Sequence, residues 1–198
     1  MPFELPTDLT PELVPLSWLV GRWEGTGVLG YADEESQQFD QQITFTQNGL
    51  PYLSYTGESW LVDEDGRRLR PLTRETGVWQ LDRQQNDADP GPGMLPADIV
   101  PALRTADDVE ELRNADGGFD IVATLVHPGG VSELYVGQIK GPRIDLSTDA
   151  VMRAPGAKDY RAATRMYGLV EGDLLWAWDI AAAGRPLQTH ASGRLHRA

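Results

Sequence analysis

Gly21-Arg22-Trp23-Glu24-Gly25-Thr26-Gly27 is the stretch on which the fold turns. In an extended chain successive side chains alternate faces, so Gly21, Trp23, Gly25 and Gly27 share one face. Glycine weakens a strand, and three on one face need a physical reason. One reason is a sharply bent first strand with Trp23 plugging one end of a barrel. The other is close approach of a flat ligand to bare backbone. The bent strand is the simpler reading.

The texture that begins at Gly21 continues to the C-terminus. Short runs rich in aromatic and β-branched residues recur at 21–28, 39–47, 51–56, 58–62, 76–82, 119–126, 131–138, 143–148, 161–169, 173–180 and 188–196. Between them stand Asn48-Gly49, Asp65-Gly66, Pro128-Gly129-Gly130, Gly141-Pro142 and Glu171-Gly172-Asp173, all with turn chemistry. About ten antiparallel strands with almost no helix predict an all-β sandwich or closed up-and-down barrel. Within 174–180, Leu174, Trp176, Trp178 and Ile180 share one face, and the other also carries apolar residues. In Val131–Gln138, Glu133 and Tyr135 share the more mixed face. That mixture fits a barrel with a wet or ligand-filled interior.

Two segments stand outside this rhythm. Residues 1–20 form a leader in which Thr10-Pro11 marks a helix start, giving a short N-terminal helix. Residues 84–117 form a long insertion in which Ala106–Leu112 reads as a short acidic helix. A loop of that length is disordered, a surface decoration or a pocket lid. The whole reads as a single domain over 1–198.

Composition narrows the function. The chain has 198 residues, no cysteine and a formal net charge of −13. Nucleic acid and anionic membrane require clustered Lys/Arg, so neither is an expected partner. Without cysteine there is no disulfide, thiolate metal site or cysteine nucleophile. The N-terminus shows no secretory signal and no apolar run approaches a membrane span, so a cytoplasmic location is expected. Oligomeric state stays open, with a homodimer compatible.

Few residues carry chemistry. No hydrolase, zinc-protease, P-loop or dinucleotide motif is present. The chain has three histidines, His127, His190 and His196. His127-Pro128 sits at a strand end and reads as structural, and His196 as solvated. His190, read alone, is a surface or satisfied residue. One histidine can nevertheless hold a haem iron, because the porphyrin supplies four ligands. Strict alternation places His190 on one face with Ser192, Arg194 and His196. That wetter face suits either a pocket mouth or solvent.

Five ordered motifs resemble the nitrobindin family of fatty-acid-binding-protein-like barrels. They are Gly21-x-Trp23-x-Gly25-x-Gly27, the strand Thr73–Trp79, the turn His127-Pro128-Gly129-Gly130-Val131, the segment from Ala157-Lys158 to Arg165-Met166-Tyr167, and the ending Ala182–His190. The resemblance implies a ten-stranded closed barrel with haem b at its mouth and an axial histidine, which carries over to His190. It implies further contacts to the cofactor from Gly21, Trp23, Gly25 and Gly27, with Arg194 as a propionate partner. The implied chemistry is conversion of peroxynitrite to nitrate, with nitric oxide binding. The competing expectation is a barrel of the same family that binds no haem and carries another small hydrophobic molecule.

Overall fold

Runs of alternating apolar residues, each cut by a glycine-bearing turn, fold into ten strands: β1 Gly21–Leu29, β2 Gln37–Thr46, β3 Leu53–Val62, β4 Arg68–Leu81, β5 Phe119–His127, β6 Val131–Lys140, β7 Arg143–Arg153, β8 Tyr160–Val170, β9 Asp173–Ala182 and β10 Gln188–Arg197. The structure, a computed structural model, describes residues 9–32, 35–96 and 103–198. Each strand pairs antiparallel with the next in sequence, and β10 returns to β1, so the sheet is a closed barrel. The all-β up-and-down barrel read from the sequence is the fold observed.

Two departures from the expected strands are instructive. The segments 51–56 and 58–62 are one strand, β3. Gly57 lies inside it because a Cβ there would meet the Tyr55 hydroxyl at 2.7 Å. β4 begins at Arg68, well before the expected start at 76. Its first half is polar and holds Pro71, tolerated at a register slip opposite Ser59 and Trp60. This half pairs with β3, whereas β5 pairs only with Thr76–Leu81.

The two ends of the barrel differ. At one end the leader forms two 3-10 turns, Pro11–Leu13 and Ser17–Leu19, in place of the expected helix. Proline opens the first turn as expected, but Thr10 makes no side-chain cap bond. Leu13, Leu16 and Leu19 are fully buried there against Trp23, whose indole N–H donates to the Leu19 carbonyl at 2.8 Å. Gly21, at φ +124°, lets the chain swing from the second turn into β1.

The insertion belongs to this same end. Its helix α1, Ala106–Glu110, starts at a capping box between Thr105 and Asp108. Val109 is buried in the core, and α1 packs on the Pro11–Leu13 turn. Arg83 bridges Glu12 at 2.9 Å and Asp89 at 2.6 Å with all three side chains nearly buried. The described part of the insertion therefore helps seal the end away from the chamber, and is neither a decoration nor a lid over the mouth. The expectations for residues 1–8 and for 97–102 lie outside the described residues.

Candidate functional site

The opposite end is open, and a cluster of buried polar groups, Gln41, Ser59, Glu75, Glu133 and Arg165, lies beneath it. Along β10 the register against β9 slips between Thr189 and Ala191, leaving His190 as an extra residue. Such a β-bulge re-aims a side chain and interrupts alternation. Ala191 and Leu195 keep the inner face and are buried, while Ser192, Arg194 and His196 are exposed. His190 lines the chamber beside Ala191. The face shared by His190 and Arg194, expected from strict alternation, is thus corrected by the bulge.

Contacts with described residues on several sides hold the His190 ring. Its Nδ1 lies 3.1 Å from the Gly30 carbonyl, the geometry of an Nδ1–H donor. That tautomer places the lone pair on Nε2. The Gly30 N–H returns a bond to the His190 carbonyl at 2.8 Å. Tyr31 and Trp178 set their rings edge-on to the imidazole at centroid distances of 5.9 and 5.3 Å. Tyr31 is itself pinned, since its hydroxyl accepts from the Ala182 N–H at 2.9 Å and lies 3.0 Å from the Ala182 carbonyl.

Below His190 is a chamber of about 240 Å³. Leu29, Phe39, Ile43, Trp176 and Trp178 form apolar walls, and Gln41, Ser59, Glu75 and Arg165 supply polar groups. Arg165 sends two parallel bonds to Glu75, at 2.9 and 2.7 Å, and lies 3.3 Å from the Tyr167 hydroxyl. The Tyr55 hydroxyl donates to the same Glu75 carboxylate. Burial pushes the Glu75 carboxyl up, but the charge and hydrogen bonds of Arg165 outweigh it and hold Glu75 at about 2. Burial, then the neighbouring Glu75, raises Tyr55 well above the usual phenol, so it stays a neutral donor.

A second carboxylate continues the cluster. Glu133 accepts from Tyr135 at 2.7 Å, from Tyr160 at 2.5 Å and from His127 Nε2 at 2.5 Å. Burial pushes the Glu133 carboxyl up, but the bond from His127 and the charge of Arg165 hold it below the ordinary range. The other nitrogen of His127 faces Glu75 at 3.6 Å. Trp178 stacks on His127 at 5.8 Å, and the Arg165 guanidinium stands 4.1 Å from the centre of the same indole. Trp178 therefore touches both the cluster and His190.

The other expected site residues lie elsewhere. Trp23 is fully buried at the sealed end, and Gly21 lies beside it at the start of β1. A Cβ on Gly25 would meet the Arg194 carbonyl oxygen at 2.2 Å, and one on Gly27 would meet the Phe39 ring and the Ser192 carbonyl oxygen at 2.4 Å. The bare backbone serves the approach of β10 and Phe39 to β1. Arg194 pairs with Asp173 at 2.7 Å on the outer wall, and none of these five residues lines the chamber.

From the sequence, His127 reads as structural and Glu133 lies on a mixed face, while Glu75 and Arg165 enter only within the family motifs. Period-2 reading back from buried Trp79 through Gly77 reaches Glu75 on the inner face, a signal that could have found it.

A closed barrel sealed at one end, with a histidine presented over an aromatic chamber at the other, defines the class of small-ligand-binding β-barrels. The family model described as "THAP4-like, heme-binding beta-barrel domain" matches residues 12–197, and the chain belongs to that family. This bears out the nitrobindin resemblance carried by the five motifs. Among curated relatives, a peroxynitrite isomerase of Pseudarthrobacter chlorophenolicus is 65% identical over 100% of this chain and 99% of its own. One of Renibacterium salmoninarum is 66% identical over 100% of this chain and 94% of its own. The crystal structure of Rv2717c from M. tuberculosis superposes with a TM-score of 0.69 at 28% identity, covering 96% of this chain and 99% of that one.

Proposed function

We propose that the chain holds ferric haem b at the barrel mouth through His190 and converts peroxynitrite to nitrate there, with nitric oxide as a second small ligand. One observation carries the reading: the β10 bulge turns a single histidine to the chamber with its Nδ1 on the Gly30 carbonyl. Metal-binding histidines commonly donate the other ring N–H to such an oxygen, which sets the tautomer and raises basicity. Support comes also from the family description and from the name of the relatives.

The residues present fit a porphyrin at the mouth. The chamber's 240 Å³ is below the ~300–1,000 Å³ usual for a drug-sized ligand, so a larger macrocycle would lie across the mouth with an edge in solvent. His190 would hold the iron. Leu29, Trp176 and Trp178 would cover apolar macrocycle surface and keep water from it. When bound, ferric haem would supply a Lewis-acidic iron for the peroxynitrite oxygen. The isomerisation needs no other atom or electron, so the protein's work would be to hold the iron through His190 and keep a route open for a small anion. We read the unit as a single domain, because the family match spans 12–197 and the insertion packs onto the barrel. Cytoplasmic location remains part of this reading; among the described residues no helix is long and apolar enough to cross a membrane.

The test is a hemin titration followed in the visible range. Wild type is expected to give a Soret band distinct from free hemin and to speed peroxynitrite decay. His190→Ala is expected to lose both, because no other histidine lines the chamber among the described residues. An unchanged spectrum in His190→Ala would sink the assignment.

A further inference from the structure

We propose that the inner half of the chamber is a binding site in its own right, for a neutral, largely apolar molecule carrying a hydrogen-bond donor, and that Glu75 bars carboxylates from it.

Three observations converge. The first is an unmet acceptor. Gln41 is only 6% exposed and lines the chamber, yet its Oε1 meets no donor. Buried polar groups are nearly always bonded, so an exception asks for a missing partner. Gln41 is paired in register with Ser59, also buried, which places a hydroxyl beside it on the same inner wall. A ligand with an O–H or N–H meets this pair.

The second is a receptor already filled. An arginine fork flanked by two phenols is a carboxylate receptor. Here the fork of Arg165 and the Tyr55 hydroxyl are taken by Glu75, while Arg165 Nε donates to Tyr135 at 3.1 Å and Tyr167 stands at 3.3 Å. Glu75 thus occupies the place an incoming carboxylate would need. A ligand anion would instead meet the Glu75 carboxylate on the chamber wall. The third is the wall. Phe39, Ile43, Trp176 and Trp178 present apolar and aromatic surface, which suits a small ring.

The site shares its chamber, and the walls Trp176 and Trp178, with the one His190 defines, but Gln41, Ser59 and Glu75 play no part in holding haem in the function proposed above. The experiment is calorimetric titration of the full chain with benzyl alcohol, toluene and sodium benzoate. These share a ring and differ in donor and charge. Wild type is expected to bind benzyl alcohol about fivefold more tightly than toluene, the worth of one hydrogen bond. Benzoate is expected to give no heat. Gln41→Leu should erase the preference for the alcohol, and Glu75→Gln, checked for native circular dichroism, should admit benzoate. Benzoate binding to wild type as well as the alcohol does, silence from both neutral rings, an alcohol preference untouched by Gln41→Leu, or a folded Glu75→Gln that still refuses benzoate would each overturn the proposal. A chain that takes no hemin yet prefers the alcohol would fail the haem reading alone.

Discussion

The sealed end and the open end of the barrel are built from the same ten strands but solve opposite problems. At the sealed end Trp23, Leu13, Leu16 and Leu19 are wholly buried in the core. That end is held largely by apolar area, at about 25 cal/mol per Å² removed from water, with the Arg83 ion pairs to Glu12 and Asp89 beside it. At the open end two carboxylates, an arginine, a histidine and several phenols satisfy each other beneath the chamber. A buried ionic cluster adds little net stability over a well-packed apolar core, yet is costly to break by halves. The barrel gathers its strength at one end and keeps the other for chemistry.

This contrast can be broken or sharpened by experiment. The largest effect is expected from Trp23→Ala, which empties the sealed end at a cost of about 3–5 kcal/mol in urea denaturation. The folded fraction should still bind hemin like wild type, and a weakened affinity would show that the two ends are coupled. Next comes Arg165→Met, which strands Glu75 unpaired and should cost about 3 kcal/mol. Adding Glu75→Gln should restore much of that loss. A double variant no better than the single would mean that Arg165 acts by packing alone.

Acid should weaken the open end through Glu75. The Glu75 proton goes on near pH 4.5 in the unfolded chain and at about 2 in the folded one. Its stabilisation is therefore complete above about pH 4.5 and is lost as the pH falls toward 2. Wild type and Trp23→Ala should share this acid slope, and Glu75→Gln should flatten it, as read from denaturation midpoints at stepped pH. The smallest effect belongs to Arg194→Ala. Its pair with Asp173 is on the outer wall and largely exposed, so stability should move by no more than about 1 kcal/mol. Hemin affinity should not move at all, and a clear drop would return Arg194 to the site.

Much of the barrel was legible in the sequence because turn chemistry and period-2 alternation are local signals. Strand ends at Gly129-Gly130, Gly141 and Gly172 all fell where positive-φ glycines lie. The first half of β4 was not legible, because Arg68–Glu75 is polar and carries a proline. At the site, His190 was found but its facing was misread, since a bulge is invisible to a rule that assumes unbroken alternation. Glu75 and Arg165 were hidden for another reason. They are 90 residues apart, and only closure of the barrel brings them within hydrogen-bond reach.

The half-paired β4 has a consequence for how the molecule meets other chains. Among the described residues Arg68–Glu75 is bonded to β3 on one side and has no β5 partner on the other, so a stretch of strand edge lies at the rim of the mouth. An unguarded edge recruits foreign strands and seeds aggregation. This one carries Arg68, Arg70 and Arg74, all exposed, with Pro71 withholding an amide hydrogen among them. The rim thus admits small molecules while discouraging polypeptides from zipping onto it, and a working opening need not become a point of misassembly.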